Sequence, residues 1–348
     1  MNVPAASVAL LGEVATAERA GPRAAERLAQ VHALLGDDMA AVDRELARVV
    51  RDGPSPATES ATHLLEAGGK RVRPLTVLLA AACFGAVPAS ARDLAVVAEL
   101  VHLATLLHDD VIDDGQERRG RVAPRRIWGN AVSVLAGDLL LTHALERTAA
   151  CASHEVLGDL FATLRRLVEG EVIQLRGRAR LDVNDGSEDL YFRVVHDKTA
   201  SLFVWAARAG AQVARAPRQA IDALGDFGAH VGVAFQLVDD VLDYDGDPRA
   251  TGKALLVDLV EGKLTLPLIR ALSGRPALAG DVQAAREGDR HAAVRVAEAV
   301  RESGACVGVR ALAREETTRA LAALDRVPPG AARELLAGIA RELASRAA

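Results

Sequence analysis

The stretch Thr105 to Asp114, TLLHDDVIDD, has a second copy of its acidic core far downstream, where Phe235 to Asp243 reads FQLVDDVLD. Both copies place carboxylates at i, i+1 and i+4: Asp109, Asp110 and Asp113 in the first, Asp239, Asp240 and Asp243 in the second. Each core ends a long apolar run, so if both runs are helices the i and i+4 acids share a face one turn apart. Two such clusters facing each other would hold more negative charge than a fold tolerates without cations between them. One DDxxD alone reads equally well as a solvated helix end. Two with matching apolar approaches, DDVID and DDVLD, read as one site built twice.

Composition bounds what surrounds them. Half of the 348 residues are hydrophobic, yet only 3% are aromatic, and Ala, Leu and Val dominate. Alanine and leucine are strong helix formers and aromatic strand residues are scarce, so an all-α fold is expected. A formal net charge of -5 argues against a broad nucleic-acid surface. Cys83, Cys151 and Cys306 are too far apart for a disulfide framework or a metal knuckle, which points to a reducing compartment. No secretory signal and no 18-residue apolar span is evident, so a soluble cytoplasmic protein without an integral membrane segment is expected. Residues 1–24 carry little information, and 25–348 read as one helical domain with no low-complexity linker.

In chain order, amphipathic helices are expected at Ala25–Val50, Ala57–Glu66, Val72–Phe84, Ala91–Asp109, Trp128–Ala150, Val156–Gln174, Ser187–Arg208 and Gln219–Tyr244. Three or four more follow Leu264, with breaks at SGRPALAG, near Gly308 and at VPPG. Between the second and third lies Gly68-Gly69-Lys70-Arg71-Val72-Arg73-Pro74. It lacks P-loop spacing, and reads either as an ordinary basic loop or as an anion site at a helix mouth. His102, two turns before Asp109, is either a core histidine or a diphosphate contact. The run Arg118-Arg119-Gly120-Arg121 either balances charge or grips phosphate bidentately. Asp138 reads as structural, needing a partner if buried. Glu171 and Gln174 face either a cavity or solvent. Lys198 either snorkels or points inward toward an anion. Lys253 and Lys263 end two GK pairs placed to bring positive charge over the second acid cluster.

Six carboxylates together with dispersed Lys and Arg suit an anionic substrate brought in with Mg²⁺. HExxH, GxSxG, Cys/His clusters and a Rossmann glycine pattern are all missing, which leaves hydrolytic and redox chemistry poorly supported. Metals bridging a diphosphate would stabilise it as it departs, leaving a carbocation for apolar walls to protect.

With GGKRVRP, HDDVIDD, RRG, GDLL, GEVIQL, Lys198-Thr199, FQLVDDVLDY and GKLTLP in this order, the chain resembles the trans-isoprenyl diphosphate synthase (polyprenyl synthetase) family over about residues 30–345. The resemblance implies an isoprenoid synthase-type helical bundle around a deep central cavity. It also implies a homodimer, and condensation of isopentenyl diphosphate with an allylic diphosphate. By that resemblance Asp109, Asp110, Asp113, Asp239, Asp240 and Asp243 bind about three Mg²⁺ ions that hold the allylic diphosphate. Arg118, Lys198, Thr199, Gln236 and Lys253 are its further contacts. Lys70, Arg73, His102 and Arg119 resemble the isopentenyl diphosphate site. Two departures stand out: Leu256 occupies the position where the family commonly has glycine in GKxxGxDL, and RVAPRR follows RRG instead of small and amide residues.

In the family a bulky aromatic four or five residues before the first Asp stops the growing tail. Here Thr105 and Ala104 stand there, with Val101 and Ala98 further down, so small groups line about 16 Å of helix. A product longer than farnesyl is expected, with geranylgeranyl as the alternative. A terpene cyclase and a noncatalytic partner subunit are the competing classes. The second complete DDxxD and the GGKRVRP stretch oppose the cyclase, and the retained acids and bases oppose the silent subunit.

Overall fold

A computed structural model of the protein describes residues 22–179, 188–246 and 255–345. The N-terminal segment expected at 1–24 falls almost wholly outside them, as do LDVNDG and Lys253. The described residues are helical throughout, apart from connections and one small hairpin. In order the helices are α1 (Pro22–Val49), α2 (Ala57–Glu66), α3 (Val72–Ala82), α4 (Ala89–Ile112), α5 (Pro124–Trp128), α6 (Asn130–Cys151), α7 (His154–Ala179) and α8 (Glu188–Val194). They continue with α9 (Ser201–Val213), α10 (Arg218–Asp245), α11 (Val257–Val260), α12 (Leu266–Gly274), α13 (Ala279–Arg286), α14 (Arg290–Glu302), α15 (Ala305–Ala323) and α16 (Ala331–Ser345). Backbone contacts group the chain into two compact units.

The first unit comprises Met1–Leu160, Trp205–Gly225 and Asp325–Ile339. Helix α4 is its spine, packed against α1, α3 and α6. Leu94, Val97, Ala98, Leu100, Val101, Leu103, Ala104 and Leu107 are all fully enclosed. Each buried leucine contributes about 1.5–3 kcal/mol relative to exposure, so the helix is held chiefly by packing. It runs past Asp109, where the sequence ends it, because Asp113 still donates its N–H to Asp109 O at 2.8 Å. Asp113 adopts φ -90°, ψ 0° and Asp114 φ +54°, which ends the helix. The basic run beyond it forms an antiparallel pair of two-residue strands, β1 (Glu117–Arg118) and β2 (Arg121–Val122). Arg119 and Gly120 at its tip have φ +53° and +72°, the two positive angles that such a tight hairpin needs. Helix propensity offers no hint of this turn.

The second unit comprises Phe161–Val204, Asp226–Leu324 and Ala340–Ala348. Its apolar centre gathers Val233, Leu237, Val241 and Tyr244 of α10 with Leu266, Leu268 and Ile269 of α12 and Val296 and Val300 of α14. The break expected near Gly308 is wrong. Gly308 lies inside α15, and the chain turns instead at Gly304, where φ is +74°. The single helix expected over Ser187–Arg208 is also interrupted. Val195–Ala200 forms a π-helical turn between α8 and α9, a local widening often found at functional sites. Two glycines make room around it. A Cβ on Gly170 would approach Lys198 N to 2.9 Å, and one on Gly232 would approach Ala200 Cα to 2.5 Å.

Candidate active site

The first acidic core lies in the first unit. Asp110, the central residue of DDVID, is completely buried. Arg118 meets its Oδ1 twice, from Nε at 2.8 Å and from Nη2 at 2.6 Å. Burial raises the Asp110 pKa, and the Arg118 charge opposes the shift. Arg125, from the RVAPRR stretch that sequence reasoning left unassigned, donates to Asp114 Oδ1 at 2.6 Å and to Gly115 O at 3.2 Å. It thereby clamps the turn leaving the helix. Asp109 and Asp113 flank Asp110 in half-buried positions. Asp138 is exposed and stands 3.3 Å from His108 Nε2, so the buried role considered for it does not apply.

The GGKRVRP turn brings guanidinium groups together beside His102. Arg71, at φ +48°, is buried and bonds Glu99 Oε1 at 2.7 Å and Asp43 Oδ1 at 3.4 Å. It is therefore a structural base, which anchors the turn carrying Lys70 and Arg73. Arg119 donates to Gly68 O across the same turn. A side chain at Gly69 would meet Arg71 Nη1 at 2.8 Å and Arg119 Nη1 at 2.9 Å. The His102 pKa is held well below its ordinary value by burial first, then by Arg73, Arg119, Arg118 and Arg71. Glu99 and Asp43 escaped the sequence reading, although an acid one turn before His102 in an apolar run was the available signal.

The second acidic core lies in the second unit. Asp240 is buried like Asp110, and among the described residues its hydrogen-bond donors are uncharged. Tyr191 OH donates to Oδ2 at 2.7 Å, Leu266 N–H to Oδ2 at 3.4 Å and Gln236 Nε2 to Oδ1 at 2.8 Å. Burial, with the nearby charge of Asp258 next, pushes the Asp240 pKa up to about 7. The same two causes push Asp243 up to about 8. Asp239 is half-buried on the same helix end. Thr199 Oγ1 donates to Gln236 Oε1 at 2.9 Å, which joins the π turn to the acidic helix. Lys198 pairs with Glu171 and donates to Gln174 Oε1 at 2.9 Å, so it points inward and meets the two polar residues left open in the sequence. Lys263 bridges Asp258 and Glu261 at 3.2 and 2.6 Å.

The donor set fits divalent cations. Asp110 Oδ2 and Asp243 Oδ2 are buried oxygens with no hydrogen-bond partner among the described residues. Charged carboxylates with raised pKa values gain from a cation more than solvated ones do. Among the described residues no three acid, histidine or cysteine side chains form a closed cage. Mg²⁺ ordinarily takes one or two carboxylates and completes its shell with waters and substrate phosphates.

Helical architecture, paired acidic cores and a basic turn define a helical isoprenoid synthase. The polyprenyl synthetase family model matches residues 55–302, and the chain belongs to that family; it is a prenyltransferase. Heptaprenyl diphosphate synthase component 2 of Geobacillus stearothermophilus is 37% identical over 92% of this chain and 99% of its own length. Octaprenyl diphosphate synthase of Escherichia coli is 36% identical over 90% and 97% respectively. Among solved structures, a polyprenyl synthase from Caulobacter crescentus CB15, complexed with calcium and isoprenyl diphosphate, aligns with a TM-score of 0.86 at 38% identity. It covers 92% of this chain and 98% of that one.

Proposed function

We propose that this chain extends an allylic diphosphate with isopentenyl diphosphate, in a Mg²⁺-dependent reaction, to a trans-polyprenyl diphosphate longer than farnesyl. The observation that carries the site assignment is the repeated burial of a central Asp, Asp110 and Asp240, with flanking acids left half-buried beside bases. Asp109, Asp110, Asp113, Asp239, Asp240 and Asp243 hold about three Mg²⁺ ions, which supply positive charge to the departing diphosphate. Arg118, Lys198, Thr199, Gln236 and Lys253 orient that diphosphate. Lys70, Arg73, Arg119 and neutral His102 hold the isopentenyl diphosphate. The allylic carbon–oxygen bond breaks first, the isopentenyl double bond attacks the resulting cation, and the released diphosphate accepts the final proton.

Chain length rests on α4. Ala98, Val101 and Ala104 are small and enclosed, and Thr105 is half-buried one turn before Asp109. None has the bulk to stop a tail, in keeping with relatives named for heptaprenyl and octaprenyl products. Incubating the pure protein with labelled isopentenyl diphosphate, farnesyl diphosphate and Mg²⁺, then sizing the product, tests this directly. Products beyond twenty carbons are expected, and Thr105→Phe should shorten them. Arrest at twenty carbons would leave geranylgeranyl as the product. No product with any primer of ten to twenty carbons would overturn the reading.

A homodimer belongs to the same proposal. Phe161, Val168, Val172 and Leu175 lie exposed along one stretch of α7 at helical spacing, an apolar stripe suited to a partner helix. Among the described residues no helix is long and apolar enough to cross a membrane. The similarity to a protein named as component 2 favours a second reading, a chain that needs another component. Turnover by the purified chain alone excludes it.

A further inference from the structure

Leu256 stands at φ +64°, ψ 23°, in the left-handed region, directly before α11. That conformation costs a leucine about 1–2 kcal/mol, whereas glycine adopts it freely. Two contacts hold it there. Its side chain packs half-buried against the apolar centre of the second unit, and its N–H donates to Asp243 O at 3.0 Å. The turn then aims the next amide back at the same residue. Val257 N–H donates to Asp243 Oδ1 at 3.0 Å. With Oδ1 tied, Asp243 Oδ2 is buried and without a hydrogen-bond partner among the described residues.

We propose that Leu256 holds a positioning turn for Asp243: the left-handed backbone at this position fixes the carboxylate so that Oδ2 is offered to a divalent cation, while the leucine side chain only offsets the strain of that conformation. This rests on the reading of Asp243 as a metal ligand. A position that must be left-handed tolerates glycine and resists β-branched residues, whatever their hydrophobicity. Metal affinity and side-chain burial therefore make different demands on the same residue.

The probe is Mn²⁺ with inorganic diphosphate, followed by electron paramagnetic resonance on the full chain. Leu256→Gly should bind Mn²⁺ within about twofold of the parent, while Leu256→Ile should bind at least about fivefold more weakly, the equivalent of about 1 kcal/mol. Thermal melting should be lowered by Leu256→Gly, which loses the apolar anchor. Parental affinity in Leu256→Ile, or equal weakening in both variants, would overturn the proposal. Asp243→Ala separates the two levels of the claim: if it binds as the parent does, the ligand assignment itself fails. Should Leu256→Ile not fold, amide exchange at Val257 decides. Faster exchange in Asp243→Ala than in the parent supports the hold, and unchanged exchange refutes it.

Discussion

Asp110 and Asp240 occupy the same place in two nearly identical sequences, and both are buried, yet the protein treats them differently. Asp110 has a guanidinium on one oxygen, a charge-assisted pair worth more than a neutral hydrogen bond. Asp240 has, among the described residues, a phenol, an amide and a backbone N–H. Asp110 therefore has a counter-charge within its own unit, whereas Asp240 is held by neutral donors among the described residues. The difference teaches that a repeated motif fixes the carboxylates but not their electrostatic state, which comes from residues outside the repeat.

The sharpest way to break the comparison is to remove each acid. Asp110→Ala and Asp240→Ala should each lower kcat/KM by about 10²-fold or more, by analogy with loss of a main electrostatic contact. Intact turnover in both would refute the metal assignment. Arg118→Met comes next. It strips Asp110 of its counter-charge, and leaving a buried carboxylate unpaired costs about 3 kcal/mol, which a denaturant titration would register. Tyr191→Phe, the matching change in the second core, should cost only about 1–2 kcal/mol, since one neutral donor of three is lost.

A smaller effect should appear in the pH dependence of the metal-free protein. Asp240 and Asp243 have folded-state values of about 7 and 8, against 3.8 in the unfolded chain. The folded state thus binds more protons between those limits, so stability is full below about pH 4 and is lost as pH rises through 7–8. With chelator present, the melting temperature should fall by about 5 °C between pH 5 and pH 8. Mg²⁺ with diphosphate should abolish the slope, because cation binding releases the protons. A slope that survives Asp240→Asn with Asp243→Asn would assign it elsewhere.

Periodicity alone made most of the fold legible, since α2 and the start of α3 stand where the apolar spacing puts them. What it could not show were departures from regular helix. The π turn at Val195–Ala200 shifts the helical register by a single residue, a change that periodicity over so short a stretch does not mark. The Arg119-Gly120 hairpin tip puts an arginine at positive φ, which composition does not mark. At the candidate site, the acids and most of the bases were expected from the sequence because paired acidic motifs and basic runs stand out in it. Arg71 was the misleading case. It sits among the bases of the GGKRVRP stretch, but burial against Glu99 and Asp43 makes it a support for the turn. Tyr191 and Arg125 went unseen because they matter only through the residues they hold.

The π turn has a further consequence for how this protein can be altered. Each residue in a helix advances it by about 100°, so the extra residue between Val195 and Ala200 sets the rotation of Lys198 and Thr199 relative to everything after Ser201. Deleting one residue there would restore a regular ladder of hydrogen bonds, and could tighten the fold while turning the lysine away from Glu171 and Gln174. Substitution scanning would never sample that lesion. Length, at this one place, carries information that side-chain identity does not.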